Sequence, residues 1–89
     1  MNPKLCQHLA ALTEIRPATT QVCAECVALG DTWVHLRVCQ ACGHVGCCDD
    51  SKNKHATRHF QATQHPVIAS AQPGERWLWC FVDEAFAEY

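Results

Sequence analysis

Cys39-Gln40-Ala41-Cys42-Gly43-His44-Val45-Gly46-Cys47-Cys48 is the stretch that decides the fold, and His55, His59 and His65 follow it downstream. A C-x-x-C turn places two sulfurs within reach of one tetrahedral Zn²⁺, bound at about 2.3 Å. A second pair, Cys23-Ala24-Glu25-Cys26, lies upstream. Each pair needs two more donors, and Cys47 with the three histidines offers them. His55 and His59 stand at i, i+4, so on a helix they share one face, a turn apart. Cys6-Gln7-His8 makes a further half-site, and Cys80 has Asp83 one C-x-x-C step beyond it. Setting aside His35, His44 and Cys48 and admitting Asp83 leaves enough donors for three four-coordinate sites. A redox reading would need a C-x-x-C that opens a helix after a strand. Cys42 is instead followed by Gly43, as in a zinc-knuckle turn. His35 and His44 read as ordinary histidines, and Cys48 as a free thiol or an exchange ligand for Cys47. Asp83 is the weakest of these donors, because carboxylate is uncommon in structural zinc sites.

The composition agrees. Eight cysteines in 89 residues lie at the density where a short chain is held by disulfides or metal. A chain of this length is expected to form one domain, residues 1–89, with a thin core. The N-terminus lacks the uninterrupted apolar stretch of a secretion signal, and no apolar run approaches the ~18 residues of a membrane span. The expectation is a cytoplasmic, reducing setting, where clustered cysteines hold metal. Net charge is −2, and three zinc ions on seven thiolates would move it only to about −3. Without a basic stripe, nucleic acid is an unlikely partner.

The coarse reading is a small α+β fold. Residues 1–22 read as irregular apart from a turn near Leu9–Leu12, since Pro17 blocks helix. Thr32–Val38 alternates and reads as a strand that joins the two C-x-x-C pairs. Asn53–Gln64 reads as a helix capped by Ser51 or Asn53. Pro66–Ala69 and Arg76–Val82 read as strands around a turn at Gln72–Glu75, and Asp83–Tyr89 as a last helical turn.

These residues resemble the UBP-type zinc finger, the ubiquitin-binding module of ubiquitin-specific proteases and of a cytoplasmic histone deacetylase. The matching features are Cys6-x-His8, Cys23-x-x-Cys26, Trp33, Cys39-x-x-Cys42-Gly-x-Val-Gly-Cys47, His55-Ala56-x-x-His59-Phe60-x-x-Thr63-x-His65-Pro66 and Trp79-Cys80-Phe81. They span about residues 5–84 and look most like small stand-alone bacterial members. The resemblance implies a twisted antiparallel sheet of about five short strands with two helices. It implies one zinc on Cys23, Cys26, Cys47 and His55, and a second on Cys39, Cys42, His59 and His65. A third would lie on Cys6, His8, Cys80 and Asp83, the last standing where relatives have Cys. Trp33, Trp79 and Phe81 would be the aromatics that sandwich a bound peptide.

Two departures bear on function. Ubiquitin-binding members carry Cys-Gly-Arg where this chain has Cys47-Cys48-Asp49, so the arginine that reaches a Gly-Gly carboxylate is replaced by an acid. The chain also looks longer than several relatives between Cys26 and Cys39. The expectation is a monomeric, non-catalytic module for a protein or peptide tail, with ubiquitin disfavoured and Arg37 or Arg58 as replacement charge. The alternative is a zinc- or redox-responsive regulatory domain that uses the Cys47-Cys48 pair. An enzyme is not expected. A catalytic zinc keeps an open position, thiolate-rich sites are poor Lewis acids, and no His-Glu-x-x-His motif is present.

Overall fold

The computed structural model describes residues 6–89; Met1 to Leu5, the start of the segment read as irregular and of the family-like span, lie outside it. Three helices and five strands follow in order α1 (Gln7–Ala10), α2 (Ala24–Leu29), β1 (Leu36–Cys39), β2 (Val45–Cys47), α3 (His55–Thr63), β3 (Val67–Ser70), β4 (Trp77–Cys80) and β5 (Ala85–Glu88). The strands form one antiparallel sheet in the order β2-β1-β3-β4-β5. This is the expected α+β architecture, with three helices among the described residues instead of two. None is long and apolar enough to cross a membrane.

One face of the sheet presents Leu36, Val38, Val45, Val67, Ala69, Leu78 and Cys80, all buried in one cluster with Cys6, Cys23, Cys26 and Cys47. Six of its members are at 0–1 % exposure, Val38, Ala69, Cys23, Cys26, Cys47 and Cys80, and four of the six are cysteines. Cysteine sulfurs therefore fill the centre of the core, where a larger domain would place Leu or Phe. Apolar burial alone is small in a chain this short.

Several local expectations need correction. The first strand begins at Leu36, because Ser51 Oγ accepts a hydrogen bond from the Val34 amide at 2.8 Å and holds that segment off the sheet. Ser51 and Asn53 do not cap α3. The N-cap is Lys54, in the left-handed region at φ 50° with no side-chain cap bond. Helix α2 carries no amphipathic signal, since Cys26 is its only buried residue while Val27 and Leu29 face solvent. It forms because Cys23 and Cys26 must converge, and it stops at Gly30 (φ 73°), a conformation that glycine adopts without strain.

The C-terminal segment is a strand, not a helical turn. Ala85, Phe86, Ala87 and Glu88 pair with Cys80, Trp79, Leu78 and Trp77. Pairing on the β4 edge satisfies backbone groups that one isolated helical turn would leave to water.

Helix α3 rests its first turn directly on β2. A Cβ at Gly46 would lie 2.8 Å from the Ala56 amide nitrogen and 3.0 Å from the His55 carbonyl carbon, so only glycine permits the approach. We expect Gly46→Ala to destabilise the domain by about 1–3 kcal/mol and to hasten zinc loss to a chelator. Unchanged chelation kinetics and denaturant midpoint would contradict this account of the contact.

Candidate functional site

Three groups of donors converge among the described residues. In each, the four ligand atoms lie within 4.8 Å of one another: Cys23, Cys26, Cys47 and His55; Cys39, Cys42, His59 and His65; Cys6, His8, Cys80 and Asp83. The eight cysteines are all free of disulfides. A tetrahedral zinc with Zn–S near 2.3 Å and Zn–N near 2.0–2.1 Å sets S···S at about 3.8 Å and S···N at about 3.6 Å.

The first group meets that standard. Cys26 Sγ and Cys47 Sγ are 3.8 Å apart, and His55 Nδ1 lies 3.2, 3.4 and 3.5 Å from Cys23, Cys26 and Cys47. All four residues are buried. Three thiolates around one zinc leave a net negative site, and two N–H groups donate toward it. The His55 amide lies 3.2 Å from Cys47 Sγ, and Asn53 Nδ2 lies 3.6 Å from Cys26 Sγ. The same Asn53 amide donates to Asp31 Oδ2 at 3.0 Å, which holds that carboxyl below its ordinary range. Outer contacts of this kind orient metal ligands.

The second group spans three elements: Cys39 ends β1, Cys42 lies in the following turn, and His59 comes from α3, with His65 just after that helix. Cys39 Sγ is 3.6 Å from His65 Nδ1, and Cys42 Sγ is 3.3 Å from His59 Nε2. Burial, with the fields of His44 and His65, lowers the pKa of His59 and favours the neutral imidazole that a metal needs. His44, read from sequence as an ordinary histidine, stacks on His59 at 4.1 Å between ring centroids. Its Nε2 lies 2.7 Å from Glu25 Oε1. Glu25 sits between Cys23 and Cys26, so this contact joins the surroundings of the two sites. No sequence pattern announces it, because Glu25 and His44 meet only in the fold.

The third group closes the ends of the described chain on each other. His8 Nδ1 is 3.7 Å from Cys6 Sγ and 3.5 Å from Cys80 Sγ, near the tetrahedral spacing. Asp83 Oδ2 stands 2.7 Å from Cys6 Sγ, 2.9 Å from His8 Nδ1 and 3.6 Å from Cys80 Sγ. The first two distances must open by several tenths of an ångström to share a metal, and both His8 and Asp83 are exposed. Burial and the bond to Asp83 push the Cys6 thiol up to about 11. Metal entry here must displace that proton, so acid opposes loading. The donors fit zinc in all three groups, and the fit is loosest in the third.

The sheet face away from the cysteine core carries a cleft of about 300 Å³. Trp77, Trp79, Phe81 and Phe86 line it together with Ile68 and Ala56, and Arg37, Asp49 and Asp50 bring charge to it. The alternation in β4 sets Trp77 and Trp79 on one face, which is the signal that would have added Trp77 to the sequence-based set. Phe86 joins them because β5 pairs it with Trp79. Phe81 also stacks on Phe60 of α3 at 4.7 Å. Trp33 is elsewhere: it packs against the core cluster and does not line the cleft. Cys48, buried at 4 % exposure, lines the cleft with its thiol 3.5 Å from Ser51 Oγ.

The fold and these donor sets define a small zinc-scaffolded α+β domain with an aromatic cleft. The family model described as "Zn-finger in ubiquitin-hydrolases and other protein" matches residues 23–89, and the chain belongs to that zinc-binding family. The chain is also 31 % identical over 64 residues to the NAD-dependent deacetylase sir2A of Dictyostelium discoideum, which covers 72 % of this chain and 11 % of the deacetylase. The chain thus spans about a tenth of that relative's length. The solution NMR structure of a protein from Rhodopseudomonas palustris superposes with a TM-score of 0.81 at 52 % identity, covering 93 % of this chain and 80 % of the other. Cys6 and His8 precede the span matched by the family model.

Structural zinc contributes about 10–16 kcal/mol apparent per site in small peptides at neutral pH, as much as the whole net stability of a typical domain, about 5–15 kcal/mol. Strong chelation is therefore expected to unfold the domain, and retained dispersion in its amide NMR spectrum would contradict this. Native mass spectrometry should show Asp83→Ala carrying one zinc fewer than the parent. In the parent, the same site should empty first as pH falls. A variant that kept full zinc content would remove Asp83 from the ligand set.

Proposed function

We propose that this domain is a non-catalytic protein- or peptide-interaction module, with zinc as scaffold and the Trp77–Trp79–Phe81 cleft as the binding face. The cleft itself carries this reading. Four aromatic side chains surround one opening whose volume is at the lower edge of the roughly 300–1,000 Å³ of ligand sites. Trp77 and Trp79 stand on β4, which ends in the donor Cys80, and Phe81 stacks on Phe60 of α3, the helix that carries the donors His55 and His59. Each donor group has four members, enough to close a tetrahedral zinc with no position left for substrate. The similarity to a short part of a much longer deacetylase suits a module that serves as a recognition element. The reduced thiols suit a cytoplasmic setting.

Ubiquitin tails are disfavoured ligands in this proposal. Asp49 and Asp50 line the cleft, and Asp49 is fixed there by accepting a bond from Thr57 Oγ1 at 2.5 Å. A carboxylate-ended Gly-Gly tail would meet two acids against the single Arg37, and it carries no basic side chain of its own to offset them. The redox reading of Cys47-Cys48 has less support. Cys47 is a metal donor at 0 % exposure, and Cys48 is shielded within the fold.

Titration of the zinc-loaded domain with ubiquitin and with a labelled Gly-Gly peptide should give affinities no tighter than millimolar. The pair Cys48→Gly and Asp49→Arg should improve ubiquitin binding at least tenfold. Submillimolar ubiquitin binding by the parent would overturn the reading of Asp49.

A further inference from the structure

The cleft holds an arginine, Arg37, that forms no salt bridge among the described residues. Arg37 comes from β1, and its guanidinium lies 4.6 Å from the centroid of the Trp77 ring, a cation–π distance. Nη1 donates to the Leu36 carbonyl at 3.0 Å. Among the described residues no carboxylate lies within salt-bridge distance of it. Glu75 feels its field, but accepts its own hydrogen bond from Ser70 Oγ at 2.5 Å. The stacked guanidinium is thus held in one plane with donors to spare, the arrangement that pairs with a carboxylate.

Asp49 and Asp50 line the same small cleft. One cation against two carboxylates gives it a net negative charge, and the nearby Cys47 site adds to that sign when loaded. A ligand bearing only a carboxylate gains from Arg37 and loses to the acids. A ligand bearing only a cation does the reverse. The complementary ligand carries both charges close together, as a chain-terminal basic residue does.

We propose that the cleft selects peptides ending in a free Lys or Arg, with the terminal carboxylate on Arg37 and the basic side chain on Asp49 and Asp50. The aromatic walls cover the aliphatic part of that side chain. The end of a chain is favoured over an internal Asp-Lys pair because the cleft has room for only a residue or two. This inference rests on the cleft being the peptide-binding face, as proposed above.

The test uses the whole zinc-loaded chain and N-terminally labelled peptides that differ only at the end: Gly-Lys acid, Gly-Lys amide, Gly-Gly acid and Gly-Glu acid. Fluorescence anisotropy at low salt should rank Gly-Lys acid first, about tenfold above its amide and above Gly-Gly, with Gly-Glu last. Arg37→Gln should abolish the acid–amide difference and keep the Lys–Glu difference. Asp49→Asn with Asp50→Asn should do the opposite. Arg37→Lys, which keeps the charge without the planar fork, should fall between. Amide NMR spectra establish that each variant is folded. Should a variant not fold, the four-peptide ranking on the parent decides by itself. Equal binding of all four peptides, or Gly-Glu at or above Gly-Lys, overturns the charge selection and leaves the cleft as a binding face. Absence of binding by all four overturns both readings.

Discussion

His55 and His59 lie one turn apart on α3 and serve two different donor groups, and the rest of the structure depends on that division. His55 reaches back to Cys23, Cys26 and Cys47, while His59 joins Cys39, Cys42 and His65. A helix tied at two successive turns cannot rotate or slide without breaking one site. Since Gly46 lets α3 settle on β2 at backbone contact distance, the helix is clamped from three sides. Its two non-glycine left-handed flanks, Lys54 at φ 50° and Gln64 at φ 62°, are conformations that surrounding constraints must enforce. The ligand bonds are the natural source of that enforcement.

Coordination performs here what burial performs in a larger domain. The cysteine core occupies one face of the sheet, so the opposite face is released from packing and carries the aromatic cleft. Trp77, Trp79 and Phe86 stay partly open to solvent, Phe86 at 58 % exposure, without loss of the fold. The cleft and the metal-bearing core are thereby placed on opposite sides of five short strands. The cleft charges follow from the same geometry. Asp49 and Asp50 succeed Cys47 as the chain leaves the first site, and Arg37 belongs to the strand paired with β2.

The donors were the most legible feature of the sequence, because C-x-x-C spacing and an i, i+4 histidine pair are local geometry. Assigning donors to sites was not local: it came from the family resemblance, and the structure assembles the same three groups. Strand β3 was readable as a short apolar run after Pro66, and β4 because its large residues alternate. Helix α2 and strand β2 were not, since α2 has no apolar stripe and β2 is only three residues long. The segment at 85–88 was misread because Ala and Glu favour helix locally, whereas the unpaired β4 edge offered a full ladder.

By itself the sequence determined that this chain binds zinc and which residue types supply the donors, because a ligand's chemistry belongs to the side chain that carries it. It also placed an acid, Asp49, where the family resemblance implies an arginine. Only the tertiary structure decided what surrounds that acid. It removed Trp33 to the core, brought Trp77 and Phe86 beside Trp79, and set Arg37 over the Trp77 ring. Those positions depend on strand register and on pairing across the sheet, and long-range pairing leaves no mark in local spacing.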